Sequence, residues 1–309
     1  IPPARRPHAC WMDSQDNIWV FGGQGNYVNY GYFNDLWKYD ISTGMWTWMS
    51  GDSIAHAITS QMVGVYGTQC VADIANIPPS RFEHRARWID KCDNLWFFGG
   101  ETSVSPGQML YNDLWRYSTR DNNWKWVSGA NIPNTTAVWG TKGVFNPANI
   151  PPPMEGANPY ITSDALWLLG GADWRTYGSP FNPFQYFTMA LWKYIPDTVT
   201  ADFTWTGGTC SAVTFIDQSD PNCGDIQYWQ WNFGDPGSGV NNTSTLQNPS
   251  HTFSSSGTYN VTLTIASCFD IVDFIIKQVT VSAGTLTLGM SSTDAICGSN
   301  NGSVTVNVT

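Results

Sequence analysis

The chain has 309 residues and a formal net charge of −10, with 12% charged and 15% aromatic residues. Few charges and many aromatics exclude a disordered chain, and the scarcity of Glu and Lys argues against a coiled coil or helical bundle. The acid excess, without any Lys/Arg run, excludes phosphate-backbone binding, and no apolar run approaches the roughly 18 residues of a membrane span.

Twenty-nine Gly and 18 Pro punctuate the chain, as an all-β fold with many turns requires. It opens at Ile1-Pro2-Pro3 without a Met, which reads as a processed or excised piece of something longer. Seven cysteines (Cys10, Cys70, Cys92, Cys210, Cys223, Cys268, Cys297) include no C-x-x-C pair, which removes zinc-ribbon and thioredoxin readings. Spread-out Cys in a Lys-poor chain fits an oxidising compartment.

Three repeats come first in chain order. Phe21-Gly22-Gly23 recurs as Phe98-Gly99-Gly100 and as Leu169-Gly170-Gly171. Each follows an apolar strand: Asn17-Ile18-Trp19-Val20, Asn94-Leu95-Trp96-Phe97 and Ala165-Leu166-Trp167-Leu168. Each precedes a second strand: Asn34-Asp35-Leu36-Trp37-Lys38-Tyr39, Asn112-Asp113-Leu114-Trp115-Arg116-Tyr117 and Leu191-Trp192-Lys193-Tyr194. A third element follows twice, at Trp46-Thr47-Trp48 and Trp124-Lys125-Trp126, and is missing from the third copy. Alternation puts both Trp of that element on one face. A small sheet with such a face must stack on the next one to bury it. The paired glycines turn the chain where only Gly tolerates a positive φ without cost.

These residues resemble the kelch repeat of β-propellers, in its long bacterial form with an N-D-L-W-x-Y strand and a Gly-x-Tyr-Gly-Thr insertion, here Gly64 to Thr68. Propellers close with four to eight blades, so with three repeats either upstream blades have been removed or the ring closes in a way the sequence does not show. Kelch propellers include copper radical oxidases, but the four His (His8, His56, His84, His251) do not offer their ligand set.

Tyr228-Trp229-Gln230-Trp231-Asn232-Phe233-Gly234-Asp235 anchors a second region. His251-Thr252-Phe253 follows, and then a strand in which Tyr259, Val261, Leu263 and Ile265 alternate with polar residues. The pattern resembles the PKD domain, an Ig-like β-sandwich. The tail from Cys297 to Val306 resembles the opening of gliding-adhesin (SprB-type) repeats. The expected fold class is therefore all-β: kelch-type β-propeller blades over residues 1–197, an Ig-like β-sandwich over 198–282, and the start of a further β repeat over 283–309.

Candidate sites are sparse. Aromatics in loops beyond the Gly-Gly turns (Tyr27, Tyr30, Tyr32, Trp174, Tyr177, Phe181, Phe184, Tyr186 and Phe187) are expected on one rim, where they suit sugar rings or a protein partner. Asp217, Asp220, Asn222 and Asp225 form an acidic loop considered for a structural Ca²⁺. Cys210 with Cys268, and Cys70 with Cys92, are the first disulfide pairings, though spacing does not fix connectivity. No nucleophile elbow, zincin or Walker motif occurs.

Three functions remain open. The first is a non-enzymatic binding or adhesion region of a large secreted bacterial surface protein, contacting carbohydrate or surface protein. The second is a subunit of an extracellular filament, self-assembled by strand exchange between incomplete domains. The third is an accessory region of a secreted hydrolase. The resemblances place the chain outside the cell, at a bacterial surface.

Overall fold

The computed structural model describes the chain apart from residues 7, 26–30, 58–63, 83–84, 105–106, 174–185, 197, 209–211, 283–287, 294–302 and 309. It is nearly all β and divides into two compact units. The first comprises residues 1–199, 221–227 and 266–272; the second comprises 200–220, 228–265 and 273–309.

The first unit is built from the repeats. Repeat one is an antiparallel sheet in the order Ala9–Met12, Ile18–Gly25, Gly31–Asp40, Met45–Ser50. Repeat two gives the same meander from Arg87–Ile89, Leu95–Phe98, Leu114–Ser118 and Asn123–Ser128. Among the described residues the sheet of repeat three has three strands, Asn158–Thr162, Ala165–Leu169 and Leu191–Tyr194, because the W-x-W segment that makes the outer strand elsewhere is missing. The Gly pairs turn as expected: all six of Gly22, Gly23, Gly99, Gly100, Gly170 and Gly171 have φ between 62° and 119°.

Aromatics join one blade to the next. Phe21 stacks on Phe97 at 5.0 Å, and Trp124 meets both rings from the side, at 5.2 and 5.6 Å. Trp19, Trp96, Trp115 and Trp124 are all buried. Their indole N–H groups find acceptors, as buried donors must. Asp13 takes the Trp19 N–H and Asp90 the Trp96 N–H, each at 2.8 Å, while the other oxygen of each closes the Asp-x-x-x-Asn turn before the strand.

One network was not read from the sequence. Arg81, four residues after Ile77, places its guanidinium on Asp113 at 2.5 and 2.7 Å and on the Gly99 carbonyl at 3.0 Å. Asp113 also accepts from Trp115 Nε1 and the Tyr66 hydroxyl, both at 2.7 Å. Burial, then the Asp113 carboxylate, raise the Tyr66 hydroxyl well above its ordinary range, so it remains a donor. Repeat one repeats the arrangement with Arg5, Asp35, Trp37 and the Gly22 carbonyl. The pair locks the Gly-Gly turn to the N-D-L-W strand.

The disulfides differ from the expected pairing. Cys70 bonds Cys223 and Cys92 bonds Cys268, with Cα atoms 4.6 and 5.6 Å apart. Cys70–Cys92 and Cys210–Cys268 assumed that each domain closes its own bridges. Instead segments 221–227 and 266–272 belong to the first unit, so Cys223 and Cys268 reach repeat-two cysteines. Phe269 meets Trp96 at 5.7 Å beside one bridge, and Asp225 pairs with Lys125 at 3.2 Å and with Arg116 beside the other. Cys210 and Cys297 lie outside the described residues.

The second unit holds the sandwich. One sheet is Phe203–Gly207, Ala212–Asp217, Ser250–Thr252; the other is Thr243–Ser244, Ile226–Asn232, Gly257–Ser267, Val272–Val281. Phe203, Val213, Phe215, Trp231, Phe233, Val261, Leu263 and Ile265 are buried between them, which is the predicted alternation. Trp231 meets Phe203 and Phe215 at 5.1 and 5.4 Å. Leu288–Thr293 and Ser303–Val308 form a separate two-stranded sheet.

The Gly-Asp and His-x-Phe signatures meet at Asp235, which accepts from Ser254 Oγ at 2.5 Å, Ser254 N at 2.8 Å and His251 Nε2 at 3.2 Å. Burial opposes the charge on Asp235, but the Ser254 and His251 hydrogen bonds outweigh it and hold the carboxyl below the ordinary range. A depressed folded-state pKa contributes stability that is present above the unfolded value of about 3.9 and is lost as pH falls through the folded pKa. Asp235→Asn is therefore expected to destabilise the sandwich at pH 7, with the difference from wild type shrinking below about pH 4. Urea midpoints from pH 7 to pH 3 measure this; a pH-independent difference would contradict it.

Candidate functional site

The clearest opening in the first unit is a cavity of about 790 Å³ beside the three-stranded sheet of repeat three. Strand Leu191–Tyr194 forms one wall and the loop from Trp139 to Asn149 the other, with Leu166 and Leu168 among the lining residues. Among the described residues, Leu191–Tyr194 pairs only with Ala165–Leu169, so its outer edge carries no strand.

Repeat two shows what such walls enclose. Its outer strand Asn123–Ser128 lies between Leu114–Ser118 and the loop that runs from Val65 to Ile77. Cys70 N donates to the Trp126 carbonyl at 2.9 Å, and Asp73 N to the Trp124 carbonyl at 3.3 Å. Asn76 Nδ2 reaches the Trp124 carbonyl and Gln69 Nε2 the Val127 carbonyl, both at 3.0 Å. Tyr66 packs on Trp115 and Trp126 at 4.9 and 5.2 Å. The loop clamps the fourth strand in place.

The Val138–Ile150 loop is built the same way. Val138 bridges Ile150 as Val65 bridges Ile77. Val144 N donates to Thr141 O at 3.0 Å, matching Val71 N to Thr68 O at 3.1 Å. Asn149 N donates to Asn146 O at 2.9 Å, matching Asn76 N to Asp73 O at 3.1 Å. Ala148 N caps on Asn146 Oδ1 as Ala75 N caps on Asp73 Oδ1. A Cβ on Gly140 would lie 2.2 Å from Asn149 Oδ1, and one on Gly67 would lie 2.3 Å from Asn76 Oδ1, so both loops need glycine for the same close approach. Trp139 stands in the place of Tyr66 and packs on Trp192 at 4.8 Å.

Repeat three thus keeps both walls and, among the described residues, lacks the strand between them. The consequences are physical. Trp139 is 56% exposed where Tyr66 is 8%, and Leu191 is 58% exposed where Leu114 is 4%. Ala190 and Met154 take the positions of Asp113 and Arg81. Trp192 Nε1 is consequently buried with no hydrogen-bond partner among the described residues, where Trp115 Nε1 binds Asp113. The sequence carried the signal in Ala137-Val138-Trp139-Gly140-Thr141, a second copy of the Gly-x-Tyr-Gly-Thr insertion in which Ala replaces the first Gly and Trp replaces Tyr. Those two substitutions hid it.

The expected site residues fall elsewhere. Tyr32 is not on an exposed rim: it is 2% exposed and stacks on Phe82 at 5.2 Å, because the strand expected from Asn34 already begins at Gly31 and pairs Tyr32 with Gln24. Tyr27, Tyr30, Trp174, Tyr177, Phe181 and Phe184 lie outside the described residues, as do the side chains of Tyr186 and Phe187. The acidic loop does not gather into one ligand set. Asp217 accepts from Trp229 Nε1 at 2.8 Å and Gln247 Nε2 at 3.1 Å. Asp225 is held by Arg116 and Lys125, and Asn222 donates to the Thr198 carbonyl. Asp90, Cys92 and Cys268 cluster closely, but the two sulfurs are bonded to each other.

Residues 196–280 match the model of the PKD domain family. Kelch domain-containing protein 10 of Rattus norvegicus is 22% identical over 211 residues, 65% of this chain and 41% of that protein. The chain thus spans less than half the length of this curated relative. The PKD1 domain of Vibrio anguillarum Epp is 20% identical, with 28% of this chain and 98% of that one covered at a TM-score of 0.26. The PKD1 domain of the Vibrio cholerae metalloprotease PrtV is 25% identical over the same shares, at a TM-score of 0.25.

Proposed function

We propose that this chain, kelch-like repeats followed by a PKD domain, is a non-enzymatic binding region of an extracellular protein of the bacterial surface. Its contact with another polypeptide runs through the open edge of repeat three. The observation that carries this reading is the 790 Å³ cavity between an unoccupied strand edge and a fully formed clamp loop. Exposed Trp139, Phe145 and Leu191 give it the apolar lining of an interaction site. Disulfides Cys70–Cys223 and Cys92–Cys268 support an oxidising, extracellular setting. The buried carboxylates Asp35, Asp90, Asp113 and Asp235 serve packing networks, which favours binding over catalysis. A protein partner suits an open strand edge, whose unpaired main-chain groups accept another strand, better than a sugar does.

The test is binding of the disulfide-intact chain to peptide and glycan arrays, beside a Trp139→Ala/Leu191→Ser variant. Both side chains are more than half exposed, so the variant is expected to fold. Peptide binding that falls about tenfold or more, 1.4 kcal/mol, in the variant supports the proposal. Binding restricted to glycans and indifferent to the variant, or turnover of a polysaccharide or peptide, would overturn it.

A filament subunit is the second reading. The observation favouring it is the two-stranded sheet of Leu288–Thr293 and Ser303–Val308, whose outer edges carry no strand among the described residues. Two strands alone are marginal in water, and a neighbour's strand would complete the sheet. Regular polymers of the purified chain in electron micrographs would favour it.

A further inference from the structure

We propose that the groove of repeat three is a strand-acceptor slot, and that its occupant is an extended aromatic-x-aromatic segment of another polypeptide, which binds as the missing fourth strand of the blade. The inference rests on the reading of this groove as the binding site and adds the chemistry of the partner.

The chain itself shows what fits. The two sister blades hold Met45-Trp46-Thr47-Trp48-Met49-Ser50-Gly51 and Asn123-Trp124-Lys125-Trp126-Val127-Ser128-Gly129 at this position. In repeat two, Trp126 lies opposite Trp115 and Trp124 opposite Tyr117. The residues equivalent to Trp115 and Tyr117 are Trp192 and Tyr194, and both line the empty groove. The clamp loop presents Gly143 and Asn146 where Cys70 and Asp73 donate their backbone N–H groups to the filling strand. An entering strand therefore gains main-chain hydrogen bonds on both sides and aromatic pockets at alternate residues. Main-chain bonds supply affinity in strand addition and the pockets supply specificity.

The residue between the two aromatics is also constrained. Lys125 stands opposite Arg116 in repeat two, and Asp225 pairs with both. Thr47 stands opposite Lys38 in repeat one. In repeat three the facing residue is Lys193, whose ammonium already binds Asp164 at 2.8 Å and lies over the Trp167 ring at 5.0 Å. Like charges directly opposite in a sheet are destabilising, and Lys142 adds a second cation to the lining. The central residue is neutral or acidic.

The probe is a fluorescent peptide of the Met45–Gly51 sequence, titrated by anisotropy against the whole disulfide-intact chain. Three comparisons accompany it: the same peptide N-methylated at alternate residues, a Thr→Lys peptide, and the Trp139→Ala/Leu191→Ser variant. Saturable binding is expected, weakened about tenfold or more by N-methylation, since each methyl group removes a main-chain hydrogen bond to the edge or the loop. The Thr→Lys peptide is expected to bind several-fold more weakly. The peptide comparisons need no altered protein, so misfolding of the variant leaves the test intact. Equal binding of the N-methylated peptide would overturn strand addition. Absence of peptide binding, with array hits still sensitive to the variant, would overturn this inference while leaving the groove as the binding site. Array hits that ignore the variant would remove both. Self-association abolished by the peptide would overturn the assignment to a foreign segment, the strand then coming from a second copy.

Discussion

Asp113→Ala is expected to destabilise the repeat unit by about 3–5 kcal/mol, the usual cost of leaving a buried charge without its partner. Arg81 and Asp113 are both fully buried. Removing the carboxylate strands the guanidinium, and it also takes the acceptor from Trp115 Nε1 and the Tyr66 hydroxyl. Repeat three supplies the control. There Met154 and Ala190 replace the Arg and the Asp together, and the sheet still forms. An Arg81→Met/Asp113→Ala variant copies that solution. Replacing a buried ion pair by apolar groups is often close to neutral, so the double variant is expected to recover much of the loss. Urea unfolding followed by tryptophan fluorescence measures both. A double variant less stable than Asp113→Ala alone would contradict the account of the pair.

The disulfides carry the second large effect. Cys70–Cys223 and Cys92–Cys268 join residues 153 and 176 positions apart. A crosslink that closes a loop of this length restricts the unfolded chain strongly, and removing one is expected to cost about 2–5 kcal/mol. A Cys92→Ala/Cys268→Ala variant should therefore unfold at clearly lower urea, and full reduction lower still. Peptide mapping without reductant should find Cys70 linked to Cys223 and Cys92 to Cys268. A Cys70–Cys92 peptide would contradict the packing of segments 221–227 and 266–272 in the first unit.

Much of the fold was legible because its signals are local. The Phe-Gly-Gly turns, the Asn-Asp-Leu-Trp strands and the Trp-x-Trp outer strands each declare a strand or a bend within a few residues. The alternation from Tyr259 to Ile265 likewise gave a strand with one buried face. The missing fourth strand of repeat three was visible as a missing motif. The features that went unread are long-range. Arg81 meets Asp113 across 32 positions, and the signal lay only in comparing copies: Arg5 and Arg81 follow Ile-Pro-Pro, Asp35 and Asp113 sit in the Asn-Asp-Leu-Trp strand, and repeat three loses both together. The disulfides failed for the same reason, since domain-by-domain pairing cannot anticipate a segment that packs elsewhere. Tyr32 was misplaced because the strand expected from Asn34 begins at Gly31. The groove needed two facts held together, a lost strand and a retained clamp loop, and the changes of Gly64 to Ala137 and Tyr66 to Trp139 between the copies concealed the second.

Amide hydrogen exchange at Leu191, Trp192 and Lys193, with and without the Met45–Gly51 peptide, tests the central claim most directly. The account predicts fast exchange at the strand's outward-facing amides in the free chain, marked slowing on saturation, and parallel slowing at Gly143 and Asn146. Unchanged exchange along this strand, with the peptide demonstrably bound, would contradict it.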